Sequence, residues 1–181
     1  ENISGAPLNL WDPGDPSVTW RIEGLGFSFP PNITIQATAT VLVVDTDPAT
    51  FRTAYEIGPQ VQIFGPFTGA LQTQGERLAL QSPEPPVPPA TEPCFVDVDV
   101  VDYRGESPWP QEPTGNGPSL ERIFSGQYGN DPANWQDSSQ DGGTPGLSNT
   151  PPTTPEVRLS TQSIQGSGTI GTNAPTRSFQ V

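Results

Sequence analysis

The chain alternates apolar and polar residues over short runs, which clusters of Pro, Gly and Asp separate from one another. Successive side chains of a β-strand point to opposite faces, so this alternation predicts half-buried strands. The clearest runs are VTWRI at 18–22, FSFPPNITI at 27–35, VQIF at 61–64, ERLALQ at 76–81, FVDVDVVDY at 95–103 and SLERI at 119–123. The pattern predicts an all-β fold with long Pro- and Gly-rich loops.

The run at 95–103 has the most regular alternation, with valines at the even positions and aspartates between them. We therefore expect Val96, Val98 and Val100 to face the core. The alternation breaks where Val100 is followed directly by Val101. A β-bulge at that point would return the later apolar residues to the core.

Three segments depart from simple alternation. Residues 39–45 (ATVLVVD) are apolar on both faces, which predicts a central, buried strand. Asp47 followed by Pro48 is typical of a helix start, so one short helix is expected near 48–55. Residues 82–93 hold six prolines in twelve positions, which predicts a polyproline-type loop outside the sheet.

Composition excludes several classes of function. The 181 residues carry a net charge of −13, which opposes nucleic-acid binding, and no apolar run is long enough to span a membrane. The absence of His removes the usual catalytic triad and the His-ligated zinc sites. Cys94 is the single cysteine, so no disulfide can form within the chain. We expect this Cys to be a buried, small apolar residue, with pairing between chains as the alternative.

The order of these segments divides the chain into three parts. Residues 1–149 carry the strong strand signals and all four tryptophans, and are expected to form one domain. Residues 150–156 (TPPTTPE) have the composition of a linker, and 157–181 form a tail with weak strand signals. The tail is too short and too poor in aromatic residues to bury a core alone. It is expected to be a β tail or the start of a further immunoglobulin-like module, in a chain that is a slice of a longer protein.

A family resemblance rests on the motifs of the second half of the domain. These motifs, all between residues 101 and 149, are VDYRGESPWP, GNGPSLERI, NDPANW and GGTPGLSN. Three segments nearer the N-terminus are also similar and occur in the same order as in the family: TWRIEGLGFSFPPNITI, VLVVDTDPATFRTAY and GPFTGALQTQGERLAL. Together they resemble the bacterial lamin tail domain over roughly residues 1–149. The resemblance implies an immunoglobulin-like β-sandwich.

The chain differs from that family pattern at its start, where the opening strand of the family is missing or truncated at residues 1–5. The turn at 36–38 lacks the family's glycines, and the loop at 82–93 is richer in proline than the family's. The missing strand has the largest consequence. A sandwich without one strand has an open groove and an unpaired sheet edge.

Two groups of residues are candidate binding sites. Asp97, Asp99 and Asp102 are the best candidates for calcium, which prefers several oxygen ligands; the alternative is a solvated strand face. Trp109 and Trp135 are candidates for contact with a ligand or partner, for example by stacking on a sugar. The alternative is that they hold long loops onto the sandwich, which is also what the resemblance implies.

The expected function is therefore non-catalytic: binding, adhesion or scaffolding by an extracellular, secreted or cell-surface module of a larger bacterial protein. No cofactor is expected apart from the candidate calcium. The expected partner is a protein, or a second copy that binds through the open sheet edge. A second hypothesis is an extracellular filament in which residues 157–181 donate strands to a neighbour. A third is carbohydrate binding.

Overall fold

The computed structural model describes residues 1–86, 89, 91–115 and 117–149, where the chain forms strands, one α-helix and one 3-10 turn. The all-β prediction is confirmed. Helix α1 spans Pro48–Ala54, and the 3-10 turn spans Pro132–Asn134. The strands are β1 Leu8–Asn9, β2 Trp11–Asp12, β3 Asp15–Thr19, β4 Arg21–Glu23, β5 Phe27–Ser28, β6 Thr34–Ile35, β7 Val41–Val43, β8 Gln62–Phe64, β9 Gly75–Glu84, β10 Cys94–Arg104, β11 Pro118–Arg122 and β12 Trp135–Asp141.

The main sheet is antiparallel, has the strand order β10-β9-β4-β5 and is built on the long hairpin of β9 and β10. Residues 82–84 of β9 pair with 94–96 of β10, so the prediction that 82–93 lies wholly outside the sheet is wrong for its first three residues. Strand β4 pairs with β9 only as far as Gln81. Pro83 therefore lies beyond the end of β4. Because β4 does not reach this position, the N–H that proline lacks is not needed for a hydrogen bond to β4.

The bulge in β10 lies earlier than the sequence predicts. The register with β9 shifts between Asp97 and Asp99, so Val98 is the extra residue. Val96 and Val98 are exposed, and their predicted inward orientation is wrong. Val96 lies where the hairpin extends past β4, opposite Ser82, whereas Val98 is the extra residue of the bulge and lines a groove in which the described residues leave it half-exposed.

The remaining strands form two-stranded pairs: β1 with β6, β2 with β3 and β11 with β12 are antiparallel, and β7 with β8 is parallel. The prediction of a central, buried strand at 39–45 is wrong, because β7 has one paired neighbour and its three residues are only half-buried. Its two apolar faces have separate surroundings. Val41 and Val43 pack on the core, whereas Leu42 lines a groove.

The core lies in the first half of the chain. Leu10, which is 1% exposed, forms its centre with Phe29 and Ile35. The rings of Phe27 and Phe64 meet Phe29 edge-on, with ring centroids 5.1 and 5.6 Å from it. Partly buried residues surround this centre, as the alternation predicts for most of them: Leu8, Trp20, Ile22, Phe27, Ile33, Ala39, Val41, Val43, Phe64 and Leu80.

The predicted helix near 48–55 is confirmed as α1. Asp47 is its N-cap, and the Oδ1 atom of Asp47 accepts a hydrogen bond from the Thr50 N–H at 2.8 Å. The hydrogen bonds from Thr50 lower the pKa of Asp47. The guanidinium of Arg52, within the helix, donates to the carbonyl of Val61 at 2.7 Å. This hydrogen bond holds the segment between α1 and β8 against the helix.

The described residues fall in the first of two units into which the chain divides, Glu1–Pro151 and Pro152–Val181. The expected linker at 150–156 and tail at 157–181 lie outside the described residues. Of the helices in the described ranges, none is long and apolar enough to cross a membrane.

Candidate functional site

A groove of about 970 Å³ lies in the described part of the first unit. One wall comes from β7 and the N-terminal residues, the other from β11 and the segment 142–149. Both apolar and charged or polar residues line the groove, among them Glu1, Ile3, Leu42, Leu80, Asp97, Val98, Asp99, Val100, Leu120, Glu121, Arg122, Tyr128, Thr144, Leu147 and Asn149. Leu80 and Val100 of the main sheet contribute to it from β9 and β10.

Two strands that contribute to the groove each have one edge without a paired strand in the described parts of the chain. Strand β7 pairs only with β8, and β11 pairs only with β12. Leu42 of β7 and residues 119–122 of β11 line the groove. Each strand therefore has backbone N–H and C=O groups that no described strand pairs.

The hydrogen bonds of β11 show which of its residues face the groove edge. Ile123 donates its N–H to the carbonyl of Asn134 at 2.8 Å, towards β12. In an antiparallel pair the direction alternates, so Leu120 and Arg122 turn their backbone groups the other way. The Nδ2 atom of Asn149 donates to the Arg122 carbonyl at 2.8 Å on that outer side. A side chain thus already takes the place of one strand-to-strand hydrogen bond at the end of the groove.

Large apolar side chains in the groove are incompletely covered. Eight large apolar or aromatic residues of the described chain are exposed, and four of them line this one feature: Ile3, Val98, Tyr128 and Leu147. Val98 is 52% exposed. Such a concentration on a folded domain is typical of a binding surface.

The structure does not bring the three candidate calcium ligands together. Asp97 pairs with Arg77 at 2.7 Å and also accepts from the Nε2 atom of Gln81 at 2.8 Å. Asp99 pairs with Arg122 and Asp102 with Arg104, so each carboxylate has its own arginine. Within the described ranges no group of three acidic or Cys side chains is placed to hold a metal ion. The expectation of a calcium site at Asp97, Asp99 and Asp102 is corrected accordingly.

Glu121 is the acidic residue of the groove that sequence reasoning missed. It is 7% exposed, although it carries a carboxylate and lies on the two-stranded β11–β12 pair. The Oγ1 atom of Thr144 donates to its Oε1 atom over a long 3.3 Å, and no arginine of the described chain pairs with it. The arginine next to it in sequence, Arg122, binds Asp99 instead. Glu121 is therefore a buried groove carboxylate without an arginine partner in the described chain, whereas Glu1, which also lines the groove, is exposed.

The candidate tryptophans lie against each other. Trp109 is 6% exposed, and its ring centroid is 6.1 Å from that of Trp135 at an angle of 49°. The Nε1 atom of Trp135 donates to the Gly129 carbonyl at 2.7 Å. These contacts join the loop at 105–110 to the start of β12. A role for Trp109 and Trp135 in carbohydrate binding stays a prediction. The ring of Trp109 is buried, so it has no exposed face on which a sugar could stack.

Cys94 is exposed at the start of β10, so its predicted burial is wrong. It lies on the part of the hairpin that extends beyond β4, where exposed Val96 follows on the same side of the strand. Pairing of this thiol between chains stays a prediction.

Two other pKa shifts lie away from the groove. Hydrogen bonds from Ser17 lower the pKa of Asp15 at the start of β3. Burial, followed by the negative charge of Glu76, raises the pKa of Tyr103, whose hydroxyl donates to the Gln72 carbonyl at 2.7 Å. Neither Asp15 nor Tyr103 lines the groove, so both shifts report local structure.

Comparison with known proteins gives no relative from which a function could be transferred. No family model matches the chain, and no curated protein and no solved structure does so. The geometry of the groove is therefore the basis of the functional argument.

Proposed function

We propose that the chain is a non-catalytic, extracellular binding or scaffolding module of a secreted bacterial protein. In this proposal its first unit is an immunoglobulin-like sandwich of the lamin-tail type with one strand position left open. The groove is its binding surface. The motifs between residues 101 and 149 and the all-β fold support this assignment, and the absence of His from the sequence supports a role without the common catalytic pairs.

The observation that carries the proposal is that β7 and β11, which each have one edge unpaired in the described chain, both line the groove. A protein partner can cover the exposed apolar side chains and hydrogen-bond to both edges at once. Burial of apolar area would supply most of the binding free energy, and the backbone groups would supply the alignment.

A binding titration tests this function. The labelled full chain is added to the immobilised extracellular protein fraction of its own bacterium, and the same titration is made with Val98→Asp. We expect the charge in the groove to weaken binding about tenfold or more, because it places a carboxylate in the contact. Leu71→Asp is the matched control, since Leu71 is equally exposed but does not line the groove. Equal losses in both variants would contradict the proposal.

The second candidate is a structural subunit that assembles into an extracellular filament. The two free edges favour it, and so does the charge distribution of the sequence. All 20 acidic residues precede residue 157, whereas 157–181 carry Arg158, Arg177 and no acidic residue. The tail of one copy is therefore complementary in charge to the acidic body of another.

Electron microscopy and size-exclusion chromatography distinguish the two candidates. An assembling chain should give polymers, which deletion of 157–181 should dissolve into single subunits. A full chain that remains monomeric at high concentration would remove the filament candidate and leave the binding module.

A further inference from the structure

We infer that the groove binds one extended peptide strand, which inserts between β7 and β11 and places a cationic side chain on Glu121. The inference rests on the proposed function and names the chemistry of its partner. The ligand is a segment of a protein with apolar side chains at every second position and an Arg or Lys between two of them.

The first argument is the pairing pattern. Among the described residues, β7 pairs only with β8 and β11 only with β12, and both strands contribute residues to the groove. A single added strand would join the two pairs into one five-stranded sheet in the order β8-β7-ligand-β11-β12. It would satisfy the outward backbone groups of Leu120, as Asn149 already does for the carbonyl of Arg122.

The second argument concerns the two faces of such a strand. Arg122 reaches Asp99 of β10, so Leu120 and Arg122 point towards the main sheet. Glu121 points to the opposite side, where Thr144 contacts it. A ligand strand would alternate in the same way, with apolar side chains towards Leu80 and Val100 and the intervening side chains on the Glu121 side.

The third argument is charge. Asp97 and Asp99 line the groove but are already paired with Arg77 and Arg122. Glu121 is more than nine-tenths buried and has only the Thr144 hydroxyl as a polar partner in the described chain. A cationic side chain from the ligand would give this carboxylate a charge-assisted hydrogen bond, whereas an acidic one would be repelled at close range.

The length of the ligand follows from β11. This strand has five residues, so a segment of about seven can pair along it and extend past both ends. The probe is the synthetic peptide acetyl-Thr-Val-Arg-Val-Thr-Val-Thr-amide. One control peptide has Glu in place of Arg, and a second has Pro in place of the central Val, which removes an N–H and breaks strand pairing.

Peptide binding to the full chain is measured by fluorescence polarisation. We expect the Arg peptide to bind, and the Glu and Pro peptides to bind at least about tenfold more weakly. In Glu121→Gln the preference for Arg over Glu should fall about tenfold. Glu112→Gln is the matched control, because Glu112 is an exposed acid outside the groove lining, and it should keep the full preference.

Hydrogen exchange distinguishes strand addition from a contact through side chains alone. With saturating Arg peptide, exchange of the amides of Leu120 and of Val43 should slow about tenfold or more, because both strands gain a backbone partner. Protection on neither strand, or equal affinity for all three peptides, would overturn the inference. If the peptides fail while Val98→Asp still weakens binding to extracellular proteins, the inference is wrong and the proposed function stands.

Discussion

Buried polar side chains fix the loops of this chain at the scale of single residues. Asn134 is the clearest case: it is 3% exposed, its Nδ2 atom donates to the Phe124 carbonyl at 2.9 Å and its Oδ1 atom accepts from the Phe124 N–H at 3.0 Å. It thereby acts as a backbone partner for a residue that has left β11. One side chain replaces both hydrogen bonds of a strand pair.

Replacing Asn134 by Ala should lower the free energy of unfolding by about 1–3 kcal/mol, because the Phe124 backbone groups lose their partners. Urea unfolding followed by tryptophan fluorescence measures the change. Asn9→Ala is the control, since Asn9 is exposed and accepts a single hydrogen bond from Thr34; its change should stay within about 0.5 kcal/mol. A difference of less than that between the two variants would contradict this role of Asn134.

Sequence reasoning could not find Asn134 or Glu121, because their roles depend on partners distant in the chain. Phe124 lies ten residues from Asn134, and Thr144 lies 23 residues from Glu121. Alternation in SLERI predicts only that Glu121 and Leu120 lie on opposite faces. Which face is covered is decided by the segment 142–149, whose path no local pattern specifies.

At the scale of elements, the N-cap residue determines where the short helix α1 begins. The pKa of Asp47 is lowered, first by the backbone hydrogen bond from Thr50 and then by the Thr50 hydroxyl. A lowered pKa in the folded state means that the carboxylate stabilises the fold above the unfolded pKa of 3.8. This contribution is lost as the pH falls through the lower, folded pKa.

An NMR titration of the side-chain carboxyl of Asp47 should therefore have its midpoint below 3.8. In Thr50→Ala the hydroxyl hydrogen bond is removed and the midpoint should rise by the smaller part of the shift, while the backbone hydrogen bond, which is the larger cause, keeps it below that value. Thr53→Ala is the control, because Thr53 donates to Ala49 and leaves the cap intact. A midpoint that does not move in Thr50→Ala would refute the assignment.

The elements that the sequence predicts are those with strong local signals. Asp47-Pro48 predicts the helix, and VDVDV in 96–100 predicts β10. Alternation does not predict β12, because WQDSSQD is polar after Trp135 and becomes a strand by pairing with β11. The bulge at Val98 and the parallel pairing of β7 with β8 are properties of pairing with another segment of the chain, which alternation within one segment does not encode.

At the scale of the whole first unit, side chains from several short strand pairs pack into one hydrophobic core around Leu10. Leu10 donates its N–H to the Ile33 carbonyl at 2.9 Å and accepts from the Trp20 N–H at 3.0 Å, besides its central place in the core. Leu10→Ala should cost about 2–5 kcal/mol of unfolding free energy. Thermal and urea unfolding measure it. The exposed Leu71→Ala is the matched control and should remain close to the parent chain, and equal losses in the two would place the core elsewhere.

The strands of this unit differ in how many neighbouring strands they pair with. Strand β9 has partners on both sides, in β4 and β10, whereas β11 pairs only with β12 among the described residues and contributes to the groove. Local opening costs less free energy where fewer contacts must be broken. We therefore expect the Ile123 amide, although it donates to Asn134 at 2.8 Å, to exchange faster with solvent than the amides in the middle of β9. Native-state hydrogen exchange in the absence of ligand measures both. Equal protection would mean that β11–β12 opens only with the whole unit, and that the edge facing the groove is already supported by other contacts.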